Sequence, residues 1–121
     1  MNLDLLKPLK GCRLEAVRVS KGSYTLELEK SENGNRSVFE LSTNGYVLDL
    51  ARGELEIGDG AKFLALCLEL DLDQIDVLAA DEALKLSFSN GEQVVLSSKG
   101  ICADNIAIVK DKLSADWFLV S

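Results

Sequence analysis

The chain has 121 residues, 47% of them hydrophobic, a single proline and a net charge of −7 at pH 7. That length can bury a self-supporting core, and the composition argues for a folded domain rather than disorder. The negative field repels phosphate backbones and anionic lipid, which argues against nucleic acid and membrane surfaces and in favour of a cationic partner.

In chain order, Asn2 to Lys10 reads as a short helix with Leu3, Leu5, Leu6 and Leu9 on its apolar side. Pro8 weakens it, because proline disrupts the turn before it. Gly11 ends it, and a strand runs from Cys12 to about Ser20. After a turn at Lys21-Gly22-Ser23, Tyr24, Leu26 and Leu28 alternate with Thr25, Glu27 and Glu29, the period-two pattern of a half-buried strand. A third strand covers about Arg36 to Ser42, and Tyr46 to Leu50 forms a shorter one. Arg52 to Gly60 is glycine-punctuated and acidic and reads as a connector. Ala61 to Leu70 looks helical, and Gln74 to Ala80 is the next strand. The clearest element is the hairpin from Leu84 to Ser97. Leu84, Leu86 and Phe88 alternate with polar residues, and Asn90-Gly91 suits a tight type I′ turn. A strand at Asn105–Lys110 follows. Asp116 to Val120 closes the chain, apolar on both faces, and is expected to lie centrally or under cover.

The hairpin repeats an earlier one. Leu14, Val17, Val19, Leu26 and Leu28 recur as Leu72, Ile75, Val77, Leu84 and Leu86, each 58 residues on. Leu5, Leu6 and Leu9 meet Phe63, Leu64 and Cys67 at the same spacing, which suggests that a helix opens each copy. Leu41-Ser42-Thr43-Asn44-Gly45-Tyr46-Val47-Leu48-Asp49 matches Leu96 to Asp104 at a spacing of 55. A longer hairpin loop at Ser31–Asn35 would absorb the difference. Two diverged copies, about 2–50 and 60–120, are therefore expected, joined by a connector at 51–60. The expected fold is α+β and β-dominated: two α-β-β-β-like copies in one antiparallel-sheet domain with short helices. Leu26, Leu28, Phe39, Ile75, Val77, Leu84, Leu86, Phe88, Leu96 and Trp117 should line its core.

Chemistry is mostly excluded. Without histidine there is no Ser-His-Asp or Cys-His nucleophile and no histidine metal site. No phosphate-cradling glycine motif occurs. Cys12, Cys67 and Cys102 are widely spaced and odd in number, which fits reduced thiols used as small hydrophobes. Asp71-x-Asp73-x-x-Asp76, with Glu82 twelfth, suggests a calcium loop, but position five, which should carry an oxygen ligand, is Ile75, and position six, which should be glycine, is Asp76. No apolar run approaches the roughly 18 residues of a membrane span, and no secretory pattern opens the chain. A cytoplasmic protein without metal or cofactor is expected.

Carboxylates gather in three places that could meet a basic partner. Glu27 and Glu29, with Glu40, would share an outward sheet face. Glu54, Glu56 and Asp59 crowd the connector. Asp71, Asp73, Asp76, Asp81 and Glu82 surround the second helix–strand junction. Acidic surfaces are usually no more than solvated; a functional one would contribute chiefly on-rate and specificity.

Leu72-Asp73-Gln74-Ile75-Asp76-Val77, then Leu84-x-Leu86-x-Phe88-Ser89-Asn90-Gly91, Val95-Leu96 and Ala115-Asp116-Trp117-Phe118-Leu119 together resemble a group of small bacterial two-repeat β-rich proteins. Most of that group have no assigned function, and some are similar to immunity proteins of toxin–immunity systems. The likeness covers Leu72 to Val120 well and the first copy loosely, and its motifs are structural. It departs where Glu69-Leu70-Asp71 replaces the glycine kept at Gly11. The resemblance, with the acidity and absent catalytic signatures, implies a non-enzymatic protein-binding module, an immunity protein that neutralises a basic toxin domain such as a nuclease. The alternative is a structural domain that homodimerises through a strand edge; an enzyme using carboxylates or a cysteine is the remaining class.

Overall fold

The computed structural model of the chain describes residues 6–20, 23–43, 45–49, 53–78, 83–97, 107–114 and 117–120, with Ile57 and 117–120 as backbone alone. The fold is α+β and dominated by antiparallel strands. In order come a 3-10 turn at Lys7–Leu9, β1 (Arg13–Ser20), β2 (Ser23–Glu32), β3 (Asn35–Thr43), β4 (Tyr46–Asp49), β5 (Gly53–Leu55), α1 (Ile57–Ala65), β6 (Leu72–Leu78), β7 (Ala83–Phe88), β8 (Gln93–Ser97), β9 (Ala107–Asp111) and β10 (Trp117–Val120). They form two antiparallel sheets, with orders β1-β2-β3-β9-β10 and β5-β4-β8-β7-β6. Alternation decides the burial. Leu14, Leu26, Leu28 and Leu41 of one sheet and Val47, Leu84, Leu86 and Leu96 of the other belong to a single buried cluster. Phe88 joins it. Phe39, Ile75 and Val77, expected to be buried, pack against its margin.

The strand order records an exchange. Each half builds a three-stranded meander, β1-β2-β3 or β6-β7-β8, and then sends its next two strands to the other half's sheet. Thus β4 pairs with β8, and β9 pairs with β3. By this pairing the counterpart of β4 is β9. The sequence match had instead set Tyr46–Asp49 beside 101–104, which lie outside the described residues.

The spacing of 58 reappears in the backbone. Cys12 N–H donates to Leu9 O and Leu70 N–H to Cys67 O; Leu14 N–H donates to Leu70 O and Leu72 N–H to Cys12 O; Gly11 N–H donates to Leu72 O and Glu69 N–H to Leu14 O. In each pair the donors, and likewise the acceptors, are counterparts. Arg13 and Asp71, themselves counterparts, form the bridge where β1 meets β6. A bulge falls between Leu14 and Ala16 in β1 and between Leu72 and Gln74 in β6. These features are consistent with a two-copy β-rich architecture about a local two-fold axis near that bridge. The copies then slip by two residues: Leu14 lies opposite Leu28, whereas Leu72 lies opposite Phe88, the counterpart of Lys30. A slip of two preserves the face each side chain presents.

Glu69 shows what the missing glycine costs. Its φ is 68° where Gly11 has 88°, and a side chain in that region is strained by roughly 1 kcal/mol. The bond to Leu14 O, at 2.8 Å, holds it there. Glu69→Gly is therefore expected to stabilise the protein by about 0.5–1 kcal/mol, less than the full strain because glycine gains freedom in the unfolded chain. A rise in Tm of a few degrees would register it; no change or a fall would refute the strain.

Other expectations need correction. The hairpin at Asn90-Gly91 is not type I′, because Gly91 has φ 89° but Asn90 is not in the left-handed region. Phe88 N–H donates to Glu92 O and Glu92 N–H to the Asn90 side chain, which makes a three-residue loop. The two-residue turn with both angles positive is Asn33-Gly34, at 52° and 80°. The first hairpin is therefore longer in its arms, not in its loop. The helix starts four residues earlier than expected, and the presumed connector 51–60 contains β5 and the first turn of α1. In the first copy the helical element is the 3-10 turn among the described residues, with Pro8 near its start, where the absent N–H is not needed. The closing strand β10 pairs with β9 alone among the described residues. Apolar faces call for cover over the faces, and that does not fix a strand's place in the sheet order. The side chain of Trp117 lies outside the described residues.

Candidate acidic surface at the start of the helix

The three carboxylate sets have different surroundings. Glu27 and Glu29 do lie on the outward face of the first sheet, and Glu27 stands directly opposite Glu40. Like charges opposite each other repel, and cations from β1 and from just past β9 offset this. Arg18 on β1 reaches Glu27 at 3.1 Å and also bonds Glu40. Lys112, just past β9, lies 3.7 Å from Glu27 and 3.9 Å from Glu40. Arg36 donates to both carboxylate oxygens of Glu29, and that hydrogen bond holds the Glu29 carboxyl below its ordinary range. This set is internally neutralised.

The third set is spread along β6. Asp71 lies 4.0 Å from Arg13. Asp76 accepts from the Gln74 amide at 3.0 and 3.2 Å and stands opposite Lys85. Asp73 is exposed. The run from Asp71 to Asp76 is extended, not looped, and among the described residues no three histidine, cysteine, aspartate or glutamate side chains converge as a metal site. Asp81 and Glu82 lie outside the described residues.

That leaves Glu54, Glu56 and Asp59. All three are exposed, and none makes an ion pair among the described residues. Local structure brings them together. Glu54 projects from β5, whose neighbour Leu55 is buried; Glu56 is the extended N-cap of α1; Asp59 sits in its first turn. Carboxylates at a helix N-terminus also complement the helix dipole, by roughly 0.3–1 kcal/mol each, so folding alone partly accounts for two of them. The junction is firmly seated. Gly60 is buried, with no room for a side chain: an added Cβ would lie 2.4 Å from the Tyr24 hydroxyl and 3.2 Å from Val47 Cβ. Leu64, one turn on, is fully buried.

The two described thiols are poor nucleophiles. Cys12 and Cys67 are free and buried; burial raises both, Cys67 to about 11. Cys102 lies outside the described residues. No helix among the described residues is long and apolar enough to cross a membrane. Sequence reasoning found every acidic residue of the β5–α1 surface but read its setting as a loose connector; the cations facing Glu27 and Glu40 left no local signal. Comparison with protein-family models, with curated proteins and with solved structures found no match to this chain.

Proposed function

We propose that the chain is a non-enzymatic protein-binding module that uses the β5–α1 surface to engage a cationic domain, acting in the cytoplasm as an immunity protein toward a basic toxin. The observation that supports this reading is the contrast among the acidic sets. Glu27, Glu29 and Glu40 are matched by arginine and lysine, whereas Glu54, Glu56 and Asp59 stand exposed on a fixed junction with no ion pair among the described residues. A basic cleft approaching that junction would be steered by the net charge of −7, and the carboxylates would set orientation more than affinity.

The test is co-expression with the protein encoded beside this one in the source genome. Growth rescue and a co-purified complex are expected. Association should slow steeply with salt, and Glu54→Lys/Glu56→Lys/Asp59→Lys should slow it at least about tenfold at low ionic strength. Glu27→Gln should change little. A harmless neighbour that does not co-purify would sink the reading.

The second reading, a self-associating structural domain, draws on the two strands at the dyad. Beyond Leu72, β6 has a sheet neighbour on one side only among the described residues. Such a dimer would form with rising protein concentration and be indifferent to salt.

A further inference from the structure

The edge of β6 and the groove beside it have a chemistry unlike the rest of this acidic surface. The two counterpart strands β1 and β6 pair with each other only around the dyad, where Gly11 N–H donates to Leu72 O and Leu72 N–H to Cys12 O. Past that point they diverge, and each turns one backbone edge outward. On β1 the helix α1 packs against the strand, a common way of covering an edge. On β6 the corresponding element is the three-residue turn Lys7–Leu9. Between that turn and the strand runs a groove of about 470 Å³, lined by Leu6, Lys7, Lys10 and four consecutive residues, Gln74 to Val77.

Consecutive lining residues matter. A groove over one face of a strand touches alternate residues, while a groove along its edge touches every one. This groove therefore follows the edge, where β6 has no sheet neighbour among the described residues. Its floor is apolar: Leu6 is buried, and Ile75 and Val77 are partly buried against the core. One rim carries Lys7 and Lys10, both exposed. On the other rim the Asp76 carboxylate is already engaged by the Gln74 amide at 3.0 Å.

We propose that the β6 edge is a strand-addition site for an extended acidic segment of a partner protein. The segment's backbone pairs with residues 74–78, its alternate apolar side chains lie on Leu6, Ile75 and Val77, and its carboxylates face Lys7 and Lys10. Main-chain pairing supplies affinity in this mode and the side-chain positions supply specificity. The site is separate from the β5–α1 surface and takes the opposite charge, so it stands or falls independently of the immunity reading.

The test uses the full chain, isotope-labelled, and two seven-residue peptides, one alternating valine with glutamate and the other valine with lysine. The glutamate peptide should give saturable shifts at Leu6–Gly11 and at 74–78, slow amide exchange along 74–78, and bind at least about tenfold tighter than the lysine peptide, a difference of roughly 1.4 kcal/mol. Lys7→Glu/Lys10→Glu alters only exposed side chains and should invert the preference. Three results overturn the proposal: no saturable shift at millimolar peptide, shifts centred away from β6, or a preference that the double variant leaves unchanged. Concentration-dependent pairing of β6 with β6 that the peptide cannot displace would also overturn it, by making a second copy the occupant.

Discussion

Truncation of Leu72 to alanine is expected to lower the unfolding free energy by about 3–4 kcal/mol, a large fraction of the roughly 5–15 kcal/mol typical of a domain. Leu72 is fully buried and belongs to the cluster shared by both sheets. Its backbone is also pinned on both sides, donating to Cys12 O and accepting from Gly11 N–H, each at 2.7 Å. A site held this way cannot collapse fully into the space a lost side chain leaves, so the loss should lie clear of the bottom of the leucine-to-alanine range. Urea titration reads it as a lower midpoint at an unchanged slope. Leu14→Ala, at the counterpart position, should cost a similar amount. Leu113→Ala, at a residue 61% exposed, should cost little. A loss below about 1 kcal/mol at Leu72 would contradict the shared core.

Gly60→Ala should also destabilise, against the usual direction. In an ordinary helix interior this change gains about 1 kcal/mol. Here the new methyl would meet the Tyr24 hydroxyl at 2.4 Å and Val47 Cβ at 3.2 Å. Tyr24 is only 2% exposed, so its ring has little freedom to retreat, and overpacking typically costs about 1–3 kcal/mol. A net loss of up to about 2 kcal/mol is expected once the helical gain is subtracted. In a Tyr24→Phe background the same change should cost at least about 0.5 kcal/mol less, because the nearest clashing atom is gone. Stabilisation by Gly60→Ala in the native background would show that α1 does not seat against β2 and β4 as described.

The same residue explains a failure of sequence reading. Gly58 and Gly60 look like connector punctuation, since glycine is a poor helix former. Gly60 is helical because a close approach to Tyr24 leaves no room for more, and that contact spans 36 positions of sequence. What alternation governs was legible: Tyr24, Leu26 and Leu28 inward, Glu27 and Glu29 outward, and the hairpin from Leu84. What depends on register was not. Asn33-Gly34 and Asn90-Gly91 are the same dipeptide in two different loops, because the pairing of the flanking strands decides which residues must turn. The acidic sets show the same boundary. That Glu27 faces outward follows from a strand pattern, but which cations meet it depends on register: Arg18 comes across the β1–β2 pairing, and Lys112 arrives only through the pairing of β3 with β9.

The exchange of strands between the halves constrains how the protein can be made. Neither sheet is complete until segments far apart in sequence have met: β3 waits for β9, and β4 waits for β8. Contacts of such long range are closed late and at high entropic cost, and chains dominated by them fold slowly. On the ribosome the first 60 residues would emerge with β4 and β5 unpaired against any sheet of their own. Completion of one sheet must then await synthesis of β8 and that of the other β9, and until then β4, β5 and the open edge of β3 stay exposed to chaperones and proteases.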